Sequence, residues 1–268
     1  MNAVAEALGA DELGSALAAA AAGVKGAPQS AEARMLFAEL CVLAGDLDRA
    51  ETHARLAATA EPKRAAGLGV FRQHLRGLHA RAAWWDDGAV PDLPNGPSEL
   101  DRHALAVNVA LREGDGPAAR AALDALEAAR GARPGLWDGE PAEDLRDLDD
   151  RLPHALEAVT SGGRYLWLGL DRIASVAFEP PRRPLDLALR RARVALHGGS
   201  EAEVLVCAVS PNPATDAERL GRATGFEELP GGLMATRGQK ALLVGEEMRG
   251  LLEAGSLGSP EPAGVGDG

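Results

Sequence analysis

Few residues in this chain are spaced for chemistry. No glycine loop is followed by Lys-Ser or Lys-Thr, so no P-loop phosphate cradle is expected. No His-Glu-x-x-His pair offers two imidazoles to zinc, and no Gly-x-Ser-x-Gly elbow presents a nucleophilic serine. His74 and His79 are five apart, off a common helical face, and read as surface residues. Acidic residues gather at Glu143, Asp144, Asp147, Asp149 and Asp150 without a histidine or a fixed ligand spacing. A solvated helix face is expected there rather than a metal site. Cys41 and Cys207 lie far apart in apolar surroundings and read as reduced, buried thiols of a cytosolic protein. The cluster Arg182, Arg183, Arg190, Arg191 and Arg193 has two readings: surface arginines of an arginine-rich chain, or a site for an acidic segment or a phosphate. No coherent acid–base pair is found, so no catalytic residue, metal or cofactor is expected.

The elements that would position such residues follow from composition and period. The chain has 268 residues, Lys+Arg 28 against Asp+Glu 40, and a formal net charge of −12. That balance gives no global attraction to nucleic acid. No apolar run is long enough to span a membrane, and Met1–Ala22 lacks a basic start and carries Glu6, Asp11 and Glu12, so no secretory signal is expected.

The N-terminal half repeats. Asp11–Pro28 aligns with Gly45–Pro62 at an offset of 34: Leu13 falls on Leu47, Ala16 on Ala50, Ala20 on Ala54 and Pro28 on Pro62. A weaker copy at offset 69 places Gly114-Asp115 on Gly45-Asp46, Ala119 on Ala50 and Leu123 on Ala54. A 34-residue period is that of tetratricopeptide helix pairs, whose usual product is a protein-binding surface; the alternative is an alanine-rich helical array with chance periodicity. Helices are expected over Ala31–Ala44, Leu47–Ala60, Lys63–Trp85, Ser98–Arg112 and Pro117–Arg130. Asp86–Pro97 reads as a loop.

After residue 131 the pattern changes. Gly131–Glu143 reads as a linker and His154–Val159 as a short helix. Strands are expected at Arg164–Leu168 and Ile173–Phe178, with hairpins formed by Arg191–Leu196 with Glu203–Val209 and by Leu233–Thr236 with Lys240–Val244. A last helix is expected at Glu246–Glu253 and a disordered tail beyond it. The fold class expected is α+β: an all-α tetratricopeptide-like superhelix over 1–133, a small α+β module with antiparallel strands over 134–254, and a tail over 255–268.

Several segments then occur in a telling order: Leu148-Asp149-Asp150-Arg151-Leu152, Leu156-Glu157, Gly163-Arg164-Tyr165-Leu166-Trp167, Arg172-Ile173, Phe178-Glu179-Pro180-Pro181, Leu185-Asp186-Leu187 and Leu220-Gly221-Arg222-Ala223-Thr224-Gly225-Phe226. With Leu40–Asp46 upstream, the chain resembles the ImpE/SciE family, also called TagJ, accessory proteins of type VI secretion systems. It departs from that pattern at Gly169, Ala188–Ala192 and Cys207–Pro211. The resemblance implies a cytoplasmic, non-enzymatic adaptor. Its partners would be the small subunit of the contractile sheath and the AAA+ ATPase that disassembles it, with no nucleic acid and no membrane.

Partner-binding candidates are Arg164, Tyr165, Trp167, Arg182, Arg183, Asp186, Arg190 and Arg222. Tyr165 and Trp167 are expected on opposite faces of one strand, at least one of them in the core. A small-ligand binding protein or an unrecognised enzyme using the C-terminal module is the alternative. It needs a pocket around Arg164, Asp186 and Arg222. A self-associating scaffold is the third reading.

Overall fold

The computed structural model describes residues 2–94 and 96–259, with backbone alone at Asn2 and Arg64. Helices come first: α1 (Asn2–Gly9), α2 (Leu13–Gly26), α3 (Ala31–Leu43), α4 (Leu47–Ala60), α5 (Ala65–Asp87), α6 (Glu99–Arg112) and α7 (Gly116–Arg130). Strands follow: β1 (Gly135–Trp137), β2 (Glu140–Ala142), β3 (Leu145–Asp147), β4 (Ala155–Thr160), β5 (Tyr165–Gly169), β6 (Ile173–Phe178), β7 (Leu189–Leu196), β8 (Glu201–Cys207) and β9 (Val209–Ser210). After a short helix, α8 (Asp216–Arg219), come β10 (Thr224–Leu229), β11 (Leu233–Gln239), β12 (Ala241–Val244), β13 (Glu247–Gly250) and β14 (Ser256–Gly258). The fold is α+β, helices first and an antiparallel sheet module after.

The helical repeat is visible in the backbone. Asp11, Gly45 and Gly114 each adopt a left-handed conformation, with φ of 59°, 81° and 74°. The residue after each donates its amide to a carbonyl five residues back: Glu12 to Ala7, Asp46 to Cys41 and Asp115 to Ala110, all at 2.9 Å. These bonds close the ends of α1, α3 and α6. Asp46 and Asp115 then cap α4 and α7 by accepting from the Arg49 amide at 3.1 Å and the Ala118 amide at 2.9 Å. Ala16, Ala50 and Ala119, equivalent in the repeat, are fully buried. Their small side chains let each second helix lie close to its neighbours.

The main sheet has eight strands in the order β2-β1-β14-β6-β7-β8-β4-β5, all neighbours antiparallel. The β7–β8 hairpin pairs Ala192 with Val204 and Arg190 with Val206. Smaller sheets, β10-β11-β9 and β13-β12-β3, pack around it. On one sheet face, Val159, Leu189, Leu205 and Cys207 join the core of α1–α5. On the other, Leu156, Ala158, Val194 and Val206 pack with Leu242, Val244 and Leu251. A third core joins Trp84, α6 and α7 to Leu152, Tyr165 and Trp167. Helices give way to strands near residue 133, where the sequence places a domain boundary, yet two of these cores draw on both sides of it.

Several expectations need correction. His154–Val159 is not a helix but mostly strand β4. Both of its faces are covered, so its apolar run is continuous instead of alternating. The expected linker Gly131–Glu143 holds a hairpin, β1–β2, turned by Asp138-Gly139 with φ of 52° and 85°. The expected last helix is strand β13, returned onto β12 through Gly245-Glu246. β11 and β12 do not form a hairpin. Instead Gln239 and Lys240 donate their amides to the carbonyls of Ala223 and Ala208, each at 2.8 Å, and carry the chain from one small sheet to the other. The tail expected from residue 255 begins with β14, held because Leu257 is buried between neighbouring strands. Residues 260–268 lie outside the described residues.

Candidate partner-binding groove

The sequence-derived candidates do not meet at one place. Arg164 is exposed and paired with Asp92 at 2.6 Å. Tyr165 and Trp167 are both buried on the same face of β5, as residues two apart in a strand must be, and the Trp167 indole donates to the Tyr165 hydroxyl at 2.9 Å. This corrects the expectation of opposite faces and removes both from the surface. Arg190 is also buried. It donates to the carbonyls of Leu251, Ala254 and Glu179 at 2.9, 2.6 and 3.0 Å. Arg222, exposed, pairs with Asp11 in the α1–α2 turn. Only Arg182, Arg183 and Asp186 stand together: buried Asp186 accepts from the Arg182 and Arg183 amides at 2.9 and 3.2 Å.

The acidic run is not a solvated helix face. Asp147 and Asp149 are buried, and Glu157 with them, in an ionic network that joins α5 to the sheet. Arg81 of α5 clamps the Glu157 carboxylate with two bonds of 2.8 and 2.9 Å; Trp85 Nε1 at 2.9 Å and the Tyr165 hydroxyl at 2.6 Å add two donors. Lys240 Nζ lies 2.8 Å from Asp147 and 3.3 Å from Glu157. Asp149 holds Arg151 at 2.6 Å and accepts from the Thr236 amide at 3.1 Å. Three cations thus face three carboxylates. Burial opposes the Glu157 charge, but Arg81 and Lys240 hold its carboxyl well below the usual range. Burial likewise opposes the Lys240 charge, and Asp147 and Glu157 outweigh it. Cys207 nearby is pushed up to about 12 by burial, which keeps it a thiol. With its charges matched, such a network suits cohesion between layers.

A wide opening lies elsewhere. A groove of about 670 Å³ runs between α2, α3 and α5 on one side and the Arg183-Pro184 turn with β7 on the other. Its walls are Ala20, Met35, Leu36, Leu68, Val70 and Phe71, and its polar groups include Glu39, His74, Arg183 and Arg191. Glu39 of α3 is buried; Arg183 reaches it at 3.0 Å and the Leu185 amide at 3.5 Å. Burial pushes the Glu39 carboxyl up, against the pull of Arg183. His74 is buried rather than on the surface, and burial, reinforced by Arg191 and Arg183, lowers it to about 4. It is therefore neutral at neutral pH. Phe71, His74, Leu75 and Leu78 fall at i, i+3, i+4 and i+7, the pattern that could have placed His74 on the buried stripe. Apolar walls of small and flexible residues, with a few polar groups among them, suit an amphipathic helix laid in a groove. Among the described residues no helix is long and apolar enough to cross a membrane.

Residues 139–258 match the family described as ImpE protein. The chain is 28% identical over 225 residues to the type VI secretion system accessory component TagJ of Pseudomonas aeruginosa, covering 82% of this chain and 79% of that one. An X-ray crystal structure of a Vibrio parahaemolyticus protein matches with a TM-score of 0.89 at 22% identity, over 97% of this chain and 98% of that one, and so shares the fold. The ImpE match begins after α7, so the helical walls of the groove lie outside it.

Proposed function

Taking the chain as one of the ImpE/SciE (TagJ) family, we propose that it is a non-enzymatic, cytoplasmic adaptor of type VI secretion. Its groove receives an amphipathic helix of the contractile-sheath small subunit. The observation that carries this reading is the groove itself: an apolar trough of about 670 Å³, long-walled by α2, α3 and α5. Helix pairs with a 34-residue offset between their turns fit a tetratricopeptide-like superhelix, an architecture that binds peptides on its inner face. In this reading residues 1–133 form the binding half. Residues 134–254 form a buttress that fixes the helix angles, with the sheath-disassembling AAA+ ATPase as a second partner at another surface.

The alternative, a small-ligand protein or enzyme, required Arg164, Asp186 and Arg222 to converge. Each instead engages a different partner: Asp92, Arg183 and Asp11. Capture of the purified sheath small subunit by the immobilised full chain tests the proposal. Retention at about ten micromolar is expected, and none at that concentration overturns it.

A further inference from the structure

We propose that Arg191 and His74 form a carboxylate-binding subsite in the groove, which takes one acidic side chain of the docked helix. The source of the carboxylate rests on the function proposed above; the subsite itself rests on four observations.

First, Arg191 is an unspent charge. On β7 the alternate residues Leu189 and Arg191 face the helical layer, as Leu189 packs in the core of α1–α5 while Ala192 and Val194 pack on the opposite sheet face. Arg191 is exposed, and among the described residues its guanidinium has neither ion pair nor hydrogen bond. Its neighbours are engaged: Arg183 with Glu39 and Asp186, Arg190 with three carbonyls, Arg193 with Glu203.

Second, His74 is 6% exposed, and its Nδ1 is buried without a hydrogen-bond partner among the described residues. A buried polar atom left unpaired is costly, so with the ring in its Nδ1–H tautomer an incoming acceptor is favoured there.

Third, the two residues share their surroundings. Both line the groove, and both line the smaller depression of about 330 Å³ beside it, whose other residues include Val70, Phe178, Glu179, Arg193 and Glu203, the last two paired with each other.

Fourth, the local charge selects the ligand. Glu39 is occupied by Arg183 and the Leu185 amide, so the free guanidinium has room for one bidentate carboxylate. A doubly charged phosphate would meet Glu39 on the same groove wall. Glu32, the other charge lining the groove with no ion pair among the described residues, stands exposed in the first turn of α3, where a helix N-terminus suits it.

The docked helix is therefore one whose apolar stripe is flanked by an Asp or Glu. Sodium acetate is the probe, titrated into the full chain while the His74 ring and Arg191 side-chain resonances are followed by NMR. Saturating shifts at both are expected below about 200 mM, weakened about tenfold or more in Arg191→Gln and unchanged in Arg193→Gln. Shifts that never saturate, or that persist in Arg191→Gln, overturn the subsite; a stronger response to sulfate overturns the choice of carboxylate. In a second arm, Arg191→Gln should weaken sheath-subunit binding about tenfold. Equal binding by the variant overturns the assignment of the carboxylate to the docked helix. A wild-type chain that binds acetate but not the sheath subunit keeps the subsite and refutes the proposed partner.

Discussion

Glu157 concentrates the strain of holding charge inside the protein. Replacing it by Gln leaves Arg81 and Lys240 facing a neutral amide in a buried site, and the expected loss is about 3–5 kcal/mol in denaturant unfolding. Asp101 gives a pH-dependent counterpart. It closes the capping box with Ser98 at the start of α6 and pairs with His154 at 2.9 Å. Although burial opposes its charge, its bonds to His154 and to Ser98 lower its carboxyl to about 2. A depressed carboxyl contributes stability that is complete above its unfolded pKa of about 4 and is lost as pH falls toward 2. Asp101→Asn should therefore cost about 2 kcal/mol at pH 7, a difference that shrinks as unfolding is measured at progressively lower pH down to about 2. Neither network was legible in the sequence. Asp147 looked solvated because its cation is remote, Lys240 being 93 residues away, and the same holds for Glu157, 76 residues from Arg81; the nearby Arg151 gave no sign that Asp149 is buried with them. Charge alone does not reveal pairing.

Helices were the legible elements, and the reason is local. Each carries its own signals, such as the Gly45-Asp46 and Gly114-Asp115 turns and the Ser98 cap, so α4 runs over the very residues the spacing indicates. Strands buried on both faces lose their alternation, which is why β4 read as a helix. Helix α5 shows how closely the two layers meet. A Cβ added at Gly77 would lie 2.4 Å from Val159 Cγ1 of β4, whereas one at Gly69 meets nothing within 4 Å. Gly77→Ala should cost about 1–3 kcal/mol by overpacking the helix–sheet contact. Gly69→Ala should instead gain about 0.5–1 kcal/mol, because alanine restricts the unfolded chain and favours helix. Shifts of opposite sign in the urea midpoint are the readout.

The halves of the molecule are sewn together by polar contacts as well as by shared cores. Arg81 with Glu157, Asp101 with His154, Glu39 with Arg183 and Asp11 with Arg222 all cross from the helical half to the sheet module. Much of the motif that carries the family resemblance, including Asp149, Arg151, Glu157, Tyr165 and Trp167, lies in this interior seam. Its buried ion pairs join α5 to the sheet, and the groove lies where α2, α3 and the same α5 meet the Arg183-Pro184 turn and β7. The resemblance rests in part on those seam residues, and two of them, Tyr165 and Trp167, offered from the sequence as partner-binding candidates, are buried. The groove stayed hidden because its walls are ordinary apolar positions drawn from helices far apart in the chain.

Calorimetric titration of the full chain with the sheath small subunit, compared with the same titration of Gly67→Trp, is the most direct measurement. Gly67 is exposed, lines the groove and has no atom within 4 Å of an added Cβ, so an indole there fills the groove without disturbing the core. Micromolar or tighter binding by the wild-type chain, weakened about tenfold or more in the variant, is predicted. No binding by the wild-type chain, or equal affinity in both, would contradict the groove as the partner site.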